Sequence, residues 1–301
     1  GFAPGFPYLA PLDSRLAIAR RPTPRVRVPR GSVAIAGGMT CIYPGGTAGG
    51  WHVVGCTDLT LFQPGALHPA TLAPGDRVRF VPVDHLDVAE AAPAPDGFSG
   101  SGLGNGTGAL RVLRAGTLTT VQDLGRWGFQ AMGVPVSGAC DSQALRRANR
   151  AVGNADDAAV LEVASVGPDL RVEADTVVAY AGASMDAQVD GRPMVEGVPV
   201  AARAGAVIRC GLVRGGLRAY LAVAGGVDVP VILGSRSTCL PGGFGGFAGR
   251  PLLAGDGLGI GSLVGMAPSA RTAREPWPTY GRSGENIQLR VLPGPQFTWV
   301  E

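Results

Sequence analysis

The residue types best suited to chemistry gather in one glycine-punctuated stretch. It runs Thr119-Thr120-Val121-Gln122-Asp123-Leu124-Gly125-Arg126-Trp127-Gly128 and resumes at Gly133-Val134-Pro135-Val136-Ser137-Gly138-Ala139-Cys140-Asp141. Gln122, Asp123, Arg126, Ser137 and Asp141 supply an amide, carboxylates, a hydroxyl and one permanent cation. Gly125, Gly128 and Gly138 lack a Cβ, so backbone there can approach a ligand closely and offer its own donors and acceptors. The set suits an anionic or amide ligand. Gln122, Asp123, Arg126 and Asp141 are the catalytic candidates, and Ser137 and Gly138 are candidate binding positions. An architectural reading stands beside this one, with Asp123 and Arg126 as a salt bridge within a turn and Asp141 as a helix cap.

A second candidate is Leu233-Gly234-Ser235-Arg236-Ser237-Thr238, followed by the glycine-rich 241–249 stretch. Hydroxyls of Ser235 and Ser237 and the Arg236 guanidinium suit phosphate or carboxylate binding, the alternative being a plain flexible loop. No GxxxxGK[ST] pattern is present, and the chain has no lysine: all 26 of its basic residues are arginine. A Walker-A lysine, a Schiff-base lysine and a biotinyl-lysine are therefore excluded within these residues. Arg20, Arg21, Arg25, Arg27 and Arg30 form a proline-interrupted run, from which Arg25 is a candidate for facing an anion. Phe6, Tyr8, Tyr43 and Trp51 can line an aromatic pocket, with Tyr8 and Tyr43 as binding candidates. Net charge is +3 and aromatics are 6%, too little of either for a nucleic-acid face. His52, His68 and His85 lie far apart, and the five cysteines show no CxxC pair, so neither a metal site nor a disulfide framework is expected. Reduced thiols point to a cytoplasmic setting, and no apolar run approaches the ~20 residues of a membrane span.

The elements that must position these groups are short strands. Hydrophobic residues are 46% of the 301, charged residues only 16%, and there are 48 glycines and 25 prolines. Plentiful Val, Leu and Ile argue against disorder, so the glycine and proline mark tight turns in a mainly β protein with few short helices. Expected strands are 25–29, 32–36, 41–43, 51–55 and 77–83, then 170–172, 176–181, 187–189, 207–210 and 217–223. The turn signatures at 74–76, 204–205 and 254–256 resemble one another, which fits repeated small barrels. One helix is expected from Ser142 to about Val152. Asp141 would be its N-cap, Leu145, Ala148 and Val152 would share a face, and Gly153 would close it. Low-complexity Pro/Ala and Gly/Ser composition marks a linker at 89–109. The expected organisation is a β domain at 1–88, the linker, a second domain at 110–266, a further linker at 267–286, and the start of another unit at 287–301.

Longer strings carry a family resemblance. Residues 1–9 (GFAPGFPYL), 23–29 (TPRVRVP), 31–38 (GSVAIAGG), 49–51 (GGW) and 74–80 (PGDRVRF) look like the C-terminal domain of KipI, the B-type component of 5-oxoprolinase. Residues 120–128 (TVQDLGRWG), 137–141 (SGACD), 148–154 (ANRAVGN), 220–226 (YLAVAGG) and 234–238 (GSRST) look like KipA, its C-type component. Asn149, inside one of these strings, joins the candidate binding residues. The resemblance implies tandem cyclophilin-like β-barrel domains in a KipI/KipA fusion, part of an ATP-dependent 5-oxoprolinase. That enzyme opens 5-oxoproline to glutamate, with ATP and Mg bound together with a LamB/YcsF-type partner protein. It equally admits the carboxyltransferase part of a urea carboxylase, with biotin arriving only as carboxybiotin on another chain, and the related allophanate hydrolase label. A regulatory role, binding a sensor histidine kinase as KipI-type proteins do, is the third implication. An oligomer is expected, as are family segments absent from this sequence: the N-terminal KipI domain and the second KipA half.

Overall fold

The structure, a computed structural model, describes residues 3–86 and 108–261 together with positions 292, 294 and 295. Its N-terminal part holds strands β1 (Tyr8–Leu9), β2 (Arg25–Val28), β3 (Ser32–Ala36), β4 (Met39–Ile42), β5 (Thr47–Gly49) and β6 (His52–Cys56). β1, β4, β3 and β6 form an antiparallel sheet in that order, and β2 pairs with β5. Between them Phe6, Val28, Ala34, Ala36, Cys41, Tyr43 and Trp51 close a small core. Gly49 makes this packing possible, because a Cβ there would collide with the Tyr43 hydroxyl.

The larger part carries β7 (Gly108–Arg114), β8 (Leu118–Gln122), helix α1 (Ser142–Ala151), β9 (Val160–Ala164), β10 (Asp169–Val172) and β11 (Thr176–Val189). It continues through β12 (Arg192–Pro193), β13 (Val200–Ala202), β14 (Val207–Val223), β15 (Val227–Asp228) and β16 (Gly257–Ile260). These ten strands make one antiparallel sheet, curled into a nearly closed barrel around an apolar core that includes Leu110, Leu161, Leu170, Ile208, Leu221 and Leu258. The chain is mainly β, as its composition predicts. α1 follows its sequence signature: Asp141 Oδ1 accepts a hydrogen bond from the Ala144 N–H at 2.9 Å, and Leu145, Ala148 and Val152 are buried. They pack against Val160, Ala179, Ala181, Tyr220 and Ala222 on the sheet.

Two expectations change. The pairs 176–181/187–189 and 207–210/217–223 are continuous strands, β11 and β14, not four separate ones. Register shifts between Gly182 and Ser184 and between Met185 and Ala187 bend the ladder without breaking it, so glycines that resemble turn signals act as bulges. The bend lets β14 pair with β10 at one end and β9 at the other. The second change is at 77–83. Pro74-Gly75-Asp76 does turn, with the Asp76 carboxylate accepting from the Ala73 N–H at 2.8 Å. The residues after it form no strand, and Phe80, Val81 and Val83 are exposed. Polar–apolar alternation forms a strand only where a neighbour supplies hydrogen bonds and a face to cover, and none of the described residues does so here. The linkers expected at 89–109 and 267–286 and the unit expected at 287–301 lie outside the described residues, apart from β7 starting at Gly108 and the irregular positions 292, 294 and 295.

The two parts touch. The Gly5 N–H donates to the Met132 carbonyl at 2.9 Å, and the Phe62 and Phe244 rings lie 5.6 Å apart. Buried Val134, Cys239 and Phe244 gather Phe62, Phe129, Met132, Ile232 and Leu233 around this contact.

Candidate functional site

The two polar strings singled out in the sequence, far apart along the chain, meet at one carboxylate. Asp123 leaves the end of β8 and accepts from the Ser235 hydroxyl at 2.7 Å, the Ser237 hydroxyl, the Arg236 N–H at 2.5 Å and the Gly125 N–H at 2.8 Å. Its own N–H donates to Ser237 Oγ at 2.9 Å. Ser235, Ser237 and Asp123 are buried, and the network is closed on itself. Gly125 and Gly138 interleave the loops at 123–128 and 136–139: a Cβ on Gly125 would meet Val136, and one on Gly138 would meet Leu124 and Gly125. Arg236 reaches the Val229 carbonyl at 2.9 Å and Asp228 at 3.4 Å.

Arg126 does not share this network. Its side chain is 1% exposed and donates to the Ser237 carbonyl and, at 3.5 Å, to that of Ile232. Its guanidinium lies 5.0 Å from the Phe244 ring, a cation–π contact at the junction of the two parts. Nη1 has no hydrogen-bond partner, and burial pulls the guanidinium pKa below its ordinary value. A buried cation without a hydrogen-bonded carboxylate is costly, and such positions cluster where a protein needs the charge.

A third arrangement was not foreseen. Thr120 on β8, Glu162 on β9 and Tyr220 on β14 are opposite one another in register, forming a polar row across three strands. Glu162 Oε2 accepts from the Tyr220 hydroxyl at 2.9 Å and from the Cys140 N–H at 2.9 Å, while the Tyr220 oxygen accepts from the Asp141 N–H at 2.7 Å. Glu162 Oε1 is less used: it accepts a long hydrogen bond from the Cys140 thiol at 3.9 Å, and Arg218 Nε stands 3.3 Å away at ion-pair distance without a hydrogen bond. Gln122, 6% exposed, donates to Thr120 Oγ1 at 3.1 Å and to the Thr238 carbonyl at 3.4 Å, but its Oε1 has no partner. Burial, with the Glu162 charge beside it, pushes the Tyr220 phenol pKa far up. The sequence did hold a signal for Glu162: one charged residue inside the otherwise apolar Val160–Ala164 strand.

The remaining sequence candidates are dispersed. Asp141 caps α1. Ser137 has a positive φ of 57° beside Gly138. Asn149 is fully buried, donating to the Ala158 carbonyl at 2.8 Å and accepting from Asn154 at 2.9 Å, which ties the end of α1 to the start of β9. Tyr8, Arg25 and Tyr43 belong to the N-terminal part. Phe6 lies 5.0 Å from Tyr8 and 5.2 Å from Tyr43, and Tyr8 lies 5.9 Å from Trp51, so the four aromatics do gather. Arg20 sits over Trp51, and Arg25 donates to the Trp51 carbonyl at 3.0 Å. Among the described residues, no three His, Cys, Asp or Glu side chains cluster to hold a metal ion, and none of the helices is long and apolar enough to cross a membrane.

These features can be set beside known proteins. A family model described as carboxyltransferase domain, subdomain A and B, matches residues 132–301, and another, subdomain C and D, matches residues 1–72. The chain is 40% identical over 188 residues to the C-type component of 5-oxoprolinase from Escherichia coli (strain K12), covering 62% of this chain and 58% of that protein. It is 54% identical over 82 residues to the B-type component of 5-oxoprolinase from Escherichia coli O157:H7, covering 27% of this chain and 38% of that one. The crystal structure of TTHA0988 superposes with a TM-score of 0.84 at 38% identity, covering 98% of this chain and 58% of the other. The chain thus spans little more than half the length of the first relative and of the solved structure. It belongs to the carboxyltransferase-domain family, with a subdomain C/D part preceding a subdomain A/B part.

Proposed function

We propose that this chain works as part of an ATP-dependent 5-oxoprolinase, opening 5-oxoproline to glutamate, or of a closely related small-amide enzyme. In this reading residues 1–88 and 110–266 are its two modules, joined by 89–109, and a LamB/YcsF-type partner protein completes a cytoplasmic complex. Similarity to both the B-type and the C-type components within one chain supports it. The observation that carries it is Arg126: a buried guanidinium with a free Nη1, placed where the two modules meet. There the charge can hold and polarise a carbonyl or an acyl-phosphate oxygen. The described residues do not themselves fit ATP with Mg. The hydroxyls of Ser235 and Ser237 are consumed by Asp123, and no carboxylate cluster is available for the cation. ATP is accordingly assigned to surfaces shared with the partner protein.

A second reading, carboxyl transfer from carboxybiotin to urea or another amide, is favoured by the family's carboxyltransferase description and needs the biotin on another chain. ADP release by the reconstituted complex, with 5-oxoproline against urea, separates the two. Replacing Arg126 by methionine keeps the packing volume and is expected to abolish turnover. Full turnover by that variant would remove Arg126 from the site.

A further inference from the structure

The Glu162 row differs from the Asp123 network in having capacity left over. Glu162 Oε2 is fixed by two donors, the Cys140 N–H and the Tyr220 hydroxyl, so the carboxylate cannot rotate away. Oε1 keeps acceptor capacity: it takes only a long hydrogen bond from the Cys140 thiol at 3.9 Å, and Arg218 Nε stands 3.3 Å away without a hydrogen bond. The Arg218 side chain is 31% exposed and that of Glu162 10%, so the pair reaches solvent at its guanidinium end. A carboxylate acceptor beside a guanidinium donor matches a group with an N–H and a C=O on adjacent atoms. On the same sheet face, Gln122 Oε1, on a side chain more than nine-tenths buried, lacks a donor. Within the described protein nothing satisfies it. A second ligand N–H would.

We infer that Glu162 and Arg218 form an amide-binding pair beneath the 137–141 loop, Glu162 Oε1 accepting the ligand N–H and the Arg218 guanidinium donating to its carbonyl oxygen. The ligand class is a lactam or ureido group. The inference rests on the small-amide reading above and deepens it. It places recognition of the amide at the Cys140 side of the loop, away from the closed Asp123 network. Tyr220 is then a positioning residue, fixing both the carboxylate and the Asp141 backbone.

The test titrates the full chain with 5-oxoproline and with urea by calorimetry, in the native protein and in Glu162→Gln and Arg218→Met. In Glu162→Gln the side-chain amide oxygen would still accept from the Cys140 N–H and Tyr220, so the loop should hold, and thermal unfolding of each variant checks this. Loss of one charge-assisted hydrogen bond predicts binding weakened about 10- to 100-fold in each variant, with melting unchanged. Native-like binding by both variants, or no binding of either probe by the native chain, overturns the pair. ADP release by the reconstituted complex keeps the two proposals apart. Turnover unaffected by both substitutions sinks the pair and leaves the enzyme reading intact. Native binding without turnover of any amide sinks the enzyme reading and leaves the pair.

Discussion

Two polar centres flank the 123–141 loops, and they are built in opposite ways. Asp123 accepts four hydrogen bonds from hydroxyls and backbone amides, three of them from the 235–237 segment and one from Gly125 in its own loop. Glu162 secures one oxygen and leaves the other facing a partly exposed arginine. Saturation is what a carboxylate needs to hold loops together. Unused capacity is what it needs to meet a ligand. The comparison teaches that sequence prominence and chemical availability are separate: within the QDLGR and GSRST strings, Asp123, Ser235 and Ser237 consume one another's hydrogen bonds, and only Gln122 Oε1 and Arg126 Nη1 keep capacity.

The largest expected effect tests that contrast directly. Asp123→Ala strands two buried hydroxyls and two part-buried backbone amides and should lower stability by about 3–5 kcal/mol, read as the shift of the urea midpoint at constant slope. Glu162→Gln preserves the acceptor for its two donors and should cost within about 1 kcal/mol. Equal losses would erase the distinction. Next comes the junction. Phe244→Ala removes the ring that meets Phe62 and covers Arg126, and should cost about 3 kcal/mol while exposing the guanidinium. Arg126→Met points the other way. Replacing a buried, poorly compensated charge with an apolar side chain of similar volume is neutral or stabilising by about 1–4 kcal/mol. A more stable but inactive variant would sort Arg126 with Glu162, as a group kept for chemistry at the expense of the fold.

How much of this was legible beforehand follows from which interactions are local. The α1 helix was readable because Asp141, Leu145, Ala148, Val152 and Gly153 act within a few turns of one another. The strand positions 32–36 were readable from glycine punctuation on both sides. The fused strands β11 and β14 were not, because a bulge and a turn use the same glycines and only a distant partner strand decides between them. Strand 77–83 failed for the same reason in reverse, with local alternation present and no partner among the described residues. At the site, Asp123 and Ser235 were each identified, yet their mutual hydrogen bond joins positions 112 apart and has no sequence signature. Glu162 was overlooked because its significance comes from Tyr220 and Cys140, which only the sheet register and the loop bring to it.

The smallest effect concerns the thiols and sharpens the same contrast between closed and open surroundings. Cys140, beside Glu162, and Cys56 are exposed, whereas Cys41, Cys210 and Cys239 are buried. Burial pushes the Cys41 and Cys210 thiols up to about 12 from an ordinary 9.0. Because the thiolate is the reactive form, neither should react near neutral pH in the native fold, whatever reagent reaches the surface. Labelling at pH 8 is therefore expected to stop after Cys140 and Cys56, and to reach the others only in denaturant. The shift also fixes the sign of a pH effect. The folded state holds these two thiols protonated, so the stability they contribute is complete below pH 9 and is lost as the pH climbs from 9 towards about 12, where the unfolded chain ionises first. A urea midpoint that stays level between pH 9 and 11, or native labelling of Cys41, would mean that the N-terminal core opens to water. The aromatic cluster around Tyr43 would then be as accessible as the Glu162 edge.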